Sequence, residues 1–185
     1  MKGRLVIVSG PSGVGKDTVI EAWAKVNPLV ERVVAATTRR PRAGERNDVD
    51  YHFLSEEEFQ RWVREDAFLE HESVHGNWYG TPWASVEELL SKGKIAILKI
   101  DVQGAMRVMG KIPEVTSVFL LPPDGDVLQA RIRDRGTDDP ETIIKRLEKA
   151  KWETDFAAKY SHRVVNDALD STVEQLEEIL GSGRP

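Results

Sequence analysis

Short apolar runs alternate with one-sided helical stripes along most of this chain. Residues 5–8, 94–100, 117–121 and the shorter 163–165 are nearly continuous apolar segments rich in β-branched side chains, the pattern of strands buried on both faces. After each of them, at Lys16–Val26, 102–110, 124–135 and 173–180, apolar positions recur three and four apart, as they do on a helix that covers a core. This βαβα order predicts a mainly parallel sheet covered on both faces.

The rhythm changes between about residues 35 and 81. Strand-like pieces at 51–54 and 68–71 flank one helix, and Ser55 with Glu58 three residues on forms the capping box that starts it. An inserted subdomain follows from this change. A second insertion is expected across 131–146, where Gly136-Thr137-Asp138-Asp139-Pro140 interrupts two basic helical stretches.

Composition narrows the possible chemistry. The 185 residues are 40% hydrophobic and 31% charged, a globular mixture, and a chain of this length buries roughly 70% of its unfolded surface. A formal charge of −5 leaves no general basic footprint, so neither nucleic acid nor a membrane is expected as partner, and any phosphate must be bound locally. The absence of cysteine removes thiolate nucleophiles, disulfides and Cys-based zinc sites together. With an apolar run at 5–8 too short for a signal segment, a cytoplasmic location is expected. His71 and His75 stand four apart on a strand entering a turn, where their rings do not converge, so no zinc site is assigned to them.

Two segments carry phosphate chemistry. Gly10, Pro11, Ser12, Gly13, Val14, Gly15 and Lys16 lie between an expected strand and an expected helix, which makes them a P-loop whose amides wrap phosphate oxygens. Lys16 is placed to reach the β- and γ-phosphates. Asp17 occupies the usual hydroxyl position after the lysine, leaving Thr18 as the candidate to hold Mg²⁺ alongside ATP. The second segment, Thr37-Thr38-Arg39-Arg40-Pro41-Arg42 with Tyr51 following, combines forked guanidinium donors with a phenol, a suitable grip for one phosphate.

Together with Gly76-Asn77-Trp78-Tyr79-Gly80-Thr81, Ile100-Asp101-Val102-Gln103-Gly104-Ala105, Arg135-Gly136-Thr137-Asp138 and Val165-Asn166-Asp167, these motifs resemble guanylate kinase, in family order over about residues 4–180. The resemblance implies an α/β fold: a three-layer P-loop kinase core with a mainly parallel sheet (1–32, 84–125 and 149–185), a small mixed α/β GMP-binding insertion (33–83) and a short helical lid (126–148). It implies phosphoryl transfer from ATP to GMP, with these nucleotides as partners of a monomer or homodimer. Arg39, Arg42, Tyr51 and Tyr79 then resemble the clamp on the GMP phosphate. Glu70 resembles the guanine-reading carboxylate, with Thr81 and Asp101 as further base contacts. Arg131, Arg135 and Arg146 match lid arginines that act with Lys16 and Arg39 on the transferring group, and Asn166 lies where the family meets adenine.

Three positions depart from that pattern. Ala35 stands where a serine often touches guanine, Asp48 replaces a turn glycine, and Lys99 stands where an acid commonly precedes the Ile-Asp pair. No carboxylate is therefore assigned to the metal. Two other readings compete: a noncatalytic guanylate-kinase-like module that binds phosphopeptides, and a kinase of a phosphorylated sugar.

Overall fold

The computed structural model describes residues 3–74, 76–133 and 140–181. A five-stranded sheet runs in the order β2-β7-β1-β8-β9, formed by β1 (Arg4–Ser9), β2 (Val30–Arg32), β7 (Ile95–Lys99), β8 (Thr116–Leu121) and β9 (His162–Val165). The described pairings β2 with β7 and β8 with β9 are both parallel. Val6, Ile7, Val8, Ala96, Ile97, Val118, Phe119 and Leu120 are fully buried, which accounts for the unbroken apolar runs in the sequence. The expected mainly parallel sheet is thus present.

A second, four-stranded sheet runs β4-β3-β6-β5, from β3 (Ala36–Thr37), β4 (His52–Phe53), β5 (Phe68–Val74) and β6 (Asn77–Pro82). It is mixed: β3 pairs parallel to β4 and antiparallel to β6, and β5 pairs antiparallel to β6. By contacts the chain forms two compact units. One comprises residues 1–6, 29–98 and 103–115, the other 7–28, 99–102 and 116–185.

In the first unit, α2 (Glu56–Arg64) starts at the expected capping box. Ser55 Oγ accepts from the Glu58 amide at 3.2 Å, while Glu58 Oε2 accepts from the Ser55 amide at 2.9 Å. The helix stops on Asp66, whose φ of 51° is left-handed; Asp66 N–H donates to Val63 O at 3.1 Å and Ala67 N–H to Trp62 O at 3.0 Å, a Schellman stop built without glycine. Between these caps Phe59 faces inward and stacks on Phe68, with ring centroids 4.5 Å apart and Trp62 and Trp78 against them. This aromatic block seats β5 and β6, which carry much of the first unit's chemistry. The unit also holds α3 (Trp83–Ser91) and α4 (Val102–Lys111), the latter anchored by Lys111 Nζ donating to Leu69 O at 2.7 Å.

The second unit contains α1 (Lys16–Val26), α5 (Gly125–Arg133), α6 (Pro140–Thr154) and α7 (Leu169–Ile179). Val19, Ile20 and Trp23 form the buried stripe of α1, and Glu177 on α7 accepts from both the Trp23 indole and, at 2.9 Å, the Asn27 amide. Leu128, Ile132 and Ala150 join α5 to α6. The expected helix at 124–135 runs to Arg133; residues 134–139, including Arg135, lie outside the described residues.

Candidate active site

Helix α1 begins where the glycine-rich loop ends. Gly15 is its N-cap with φ 97°, a left-handed conformation, and a β-carbon there would meet Asn166 Nδ2 at 2.9 Å. At Gly10 a β-carbon would come within 2.5 Å of Leu120 O, so the loop passes too close to β8 for any side chain. Both glycines are forced by geometry.

Side chains from the segment after β9, from α5 and from α6 hold the loop. Asn166, after β9, donates Nδ2 to Val14 O at 2.7 Å and accepts from Thr172 Oγ1 at 3.2 Å. Arg131 of α5 donates to Val14 O at 3.3 Å and Asn166 O at 3.4 Å. Lys16 folds onto its own loop, with Nζ donating to Gly10 O at 2.6 Å and Pro11 O at 3.1 Å. Glu153, buried on α6, accepts from the Ser12 amide at 3.1 Å. Burial raises its carboxyl above the usual range, opposed by the Lys16 ammonium and the Ser12 amide and reinforced by Asp101.

Asp17, next after Lys16, forms an ion pair with Lys99 at the end of β7. Thr18 is exposed on the first turn of α1. Among the described residues no group of three or more His, Asp or Glu is placed to hold a metal ion. Arg146 is half-buried on α6, and Asp101 belongs to this same unit.

The first unit carries the arginine and tyrosine constellation. Thr37 and Thr38 tie its start to β6: Thr37 Oγ1 donates to Trp78 O at 2.9 Å, and Thr38 Oγ1 accepts from Trp78 N–H at 2.9 Å. Arg39 then forms a two-pronged pair with Glu45, NH1 to Oε2 at 3.0 Å and NH2 to Oε1 at 2.9 Å. Its guanidinium stands 5.5 Å from the Tyr51 ring centroid. The Tyr51 and Tyr79 rings meet edge-on at 6.2 Å. Arg42 is exposed, and its amide donates to Glu45 Oε2 at 2.7 Å. The Arg39 bond, then the Arg42 amide, holds the Glu45 carboxyl down at about 2.

Two residues further along β6 from Tyr79, on the same face of the strand, lies Thr81. Across the ladder from it stands Glu70, and Thr81 Oγ1 donates to Glu70 Oε1 at 2.6 Å. Both are buried, 2% and 6% exposed respectively. A buried carboxylate is suited to reading a hydrogen-bond donor pattern, because once ionised it only accepts hydrogen bonds.

Comparison with known proteins identifies the family. The family model described as guanylate kinase matches residues 2–183. A guanylate kinase of Clostridium perfringens is 45% identical over 97% of this chain and 83% of its own length. Another, from Gloeobacter violaceus, is 46% identical over 96% and 86%. The chain belongs to the guanylate kinase family. The crystal structure of guanylate kinase from Anaplasma phagocytophilum superposes with a TM-score of 0.76 at 31% identity, covering 97% of this chain and 85% of that one. As a guanylate kinase family member the chain is a phosphotransferase, and the phosphopeptide-module and sugar-kinase readings are not favoured.

The structure brings together Arg39, Tyr51 and Tyr79 as one cluster, Glu70 with Thr81 as a second, and the loop with Arg131 and Asn166 as a third. Sequence reasoning missed three participants of these clusters. Glu45 ends the arginine segment but was given no role, although a lone acid after three arginines is a signal for a pairing partner. Arg32, whose guanidinium lies 5.9 Å from the Tyr51 ring centroid, sits on a short strand with no local motif. Glu153 left no signal, since 141 residues separate it from Ser12.

Proposed function

We propose that this chain transfers the γ-phosphoryl group of ATP to GMP, giving ADP and GDP, a step in guanine nucleotide synthesis and recycling. The buried Glu70–Thr81 pair is the observation that carries the choice of base. An ionised carboxylate only accepts hydrogen bonds; guanine presents N1–H and the N2 amine side by side, whereas adenine presents an acceptor at N1. Thr81, by donating to Oε1, fixes the plane of the carboxylate. Asp101 is the further base contact.

Arg39, with Arg42, Tyr51 and Tyr79, holds the GMP phosphate, and Glu45 keeps the Arg39 fork oriented. The attacking oxygen of that phosphate is already anionic near neutral pH, so alignment and charge neutralisation are required and a strong general base is not. On the donor side the amides of residues 10–18 and the Lys16 ammonium, rotated away from Gly10 O and Pro11 O, hold the ATP phosphates. Arg131, Arg135 and Arg146 neutralise charge on the transferring group, and Asn166 lies on the adenine side. Segments 33–83 and 126–148 act as acceptor insertion and lid around the core.

Mg²⁺ suits this donor set, one exposed hydroxyl from Thr18 beside a phosphate loop with no carboxylate cluster among the described residues. When bound it offsets charge on the donor phosphates. No described helix is long and apolar enough to cross a membrane, and action on soluble nucleotides fits a cytoplasmic location.

The test is kcat/KM for GMP and AMP in the wild type and in Glu70→Gln. The amide keeps the shape but both donates and accepts, so GMP turnover falls roughly ten- to a hundredfold while the margin over AMP narrows. An unchanged GMP to AMP ratio would show that Glu70 does not read the base.

A further inference from the structure

An acid stands in the donor loop where a hydroxyl is usual. Asp17 follows the loop lysine directly, on the first turn of α1, at the position where P-loops carry Ser or Thr. The N-terminus of that helix and the Lys16 ammonium form the anion-binding end of the loop, so an unbalanced carboxylate there repels the triphosphate the loop is built to hold.

The balance comes from a residue 82 positions away in the sequence. Lys99, the last residue of β7, donates its ammonium to Asp17 Oδ1. Both belong to the second unit. The Lys99 side chain is 18% exposed and that of Asp17 is 59% exposed. The lysine is therefore packed along most of its length and presents its charge to the acid from a fixed strand end, unlike a pair of loose surface chains. With Lys16, Asp17 and Lys99 counted together, the loop keeps one net positive charge, as it would with a hydroxyl at 17 and no lysine at 99. The two departures noted separately in the sequence are thus one unit in space.

We propose that Lys99 is a donor-site positioning residue: it neutralises Asp17 and draws its carboxylate toward β7, leaving the phosphate loop free to accept ATP. This inference rests on the reading of the loop as the ATP site. Its test is a double-mutant cycle with binding as well as turnover measured. Lys99→Met removes the lysine ammonium from Asp17, so the Kd for ATP by calorimetry and the KM for ATP rise about tenfold. The KM for GMP and kcat stay within about twofold, and the ATP defect shrinks as salt is raised.

Lys99→Arg retains wild-type ATP affinity. Adding Asp17→Asn to Lys99→Met recovers most of the lost affinity, which a merely structural role for Lys99 would not allow. Lys99→Gln replaces Lys99→Met if circular dichroism shows the latter misfolded. A Lys99→Met protein that binds ATP as the wild type does, or whose defect persists with Asp17→Asn, overturns the inference alone. A wild type that binds no ATP overturns the donor-site reading and this inference with it.

Discussion

At the scale of single residues, the acceptor cluster is governed by one ion pair. Arg39 is an arginine among three in its segment, and sequence spacing alone ranks them equally. The structure separates them: Arg39 is gripped by Glu45 and lies over the Tyr51 ring, while Arg42 is exposed and contributes its amide. The sign of the pH dependence follows from Glu45. Its folded carboxyl titrates at about 2, below the ordinary value near ~4.3, so the pair contributes stability above pH ~4 and loses it as pH falls from there through about 2. Carbon-13 NMR of the Glu45 carboxyl is expected to give a midpoint near 2 in the wild type and a higher one in Arg39→Met, where the Arg42 amide alone remains. A wild-type midpoint near the ordinary value would mean that the fork does not form in solution. Asp48 was legible in part: replacing a turn glycine it adopts φ 60°, and its carboxylate binds His52 Nδ1 at 2.6 Å, a contact that no local pattern announces.

Elements divide by how far their causes reach along the chain. Helix α2 was visible because its start is a four-residue motif, Ser55 to Glu58, and its amphipathic stripe repeats locally. The two-residue strand β3 was harder to locate, because a strand so short has no period; it exists through backbone pairing to partners distant in sequence. Helix α2 matters to function through Phe59, which supports Phe68 two residues before Glu70. Ser55→Ala removes the cap and is expected to cost about 1 kcal/mol, lowering Tm by roughly 2–4 °C. Calorimetry with GMP turnover measured alongside checks this; a Tm unchanged within a degree would show that the cap contributes nothing.

On the scale of the whole molecule, the arginine and tyrosine cluster belongs to one compact unit and the P-loop to the other. ATP should therefore stabilise the protein through the P-loop unit, while the proposed Arg39 and Glu70 contacts to GMP lie in the other. Lys16→Ala is expected to lose most turnover and most of the Tm increase produced by ATP, while retaining the increase produced by GMP and a wild-type circular dichroism spectrum. Near-normal turnover in Lys16→Ala would refute the loop's role. The sequence by itself determined the α/β order, the P-loop between strand and helix, and the capped helix of the insertion, because each depends on neighbours within a few residues. Tertiary structure alone decided that Glu45 holds Arg39, that Thr81 orients Glu70, that Glu153 binds Ser12 and that Lys99 answers Asp17. Except for the six-residue step from Arg39 to Glu45, these partners are 11 to 141 residues apart, and a charge or hydroxyl at such distances carries no local mark of the group it will meet. Their pairing is set by the folded backbone, where burial makes an unmatched polar group too costly to keep.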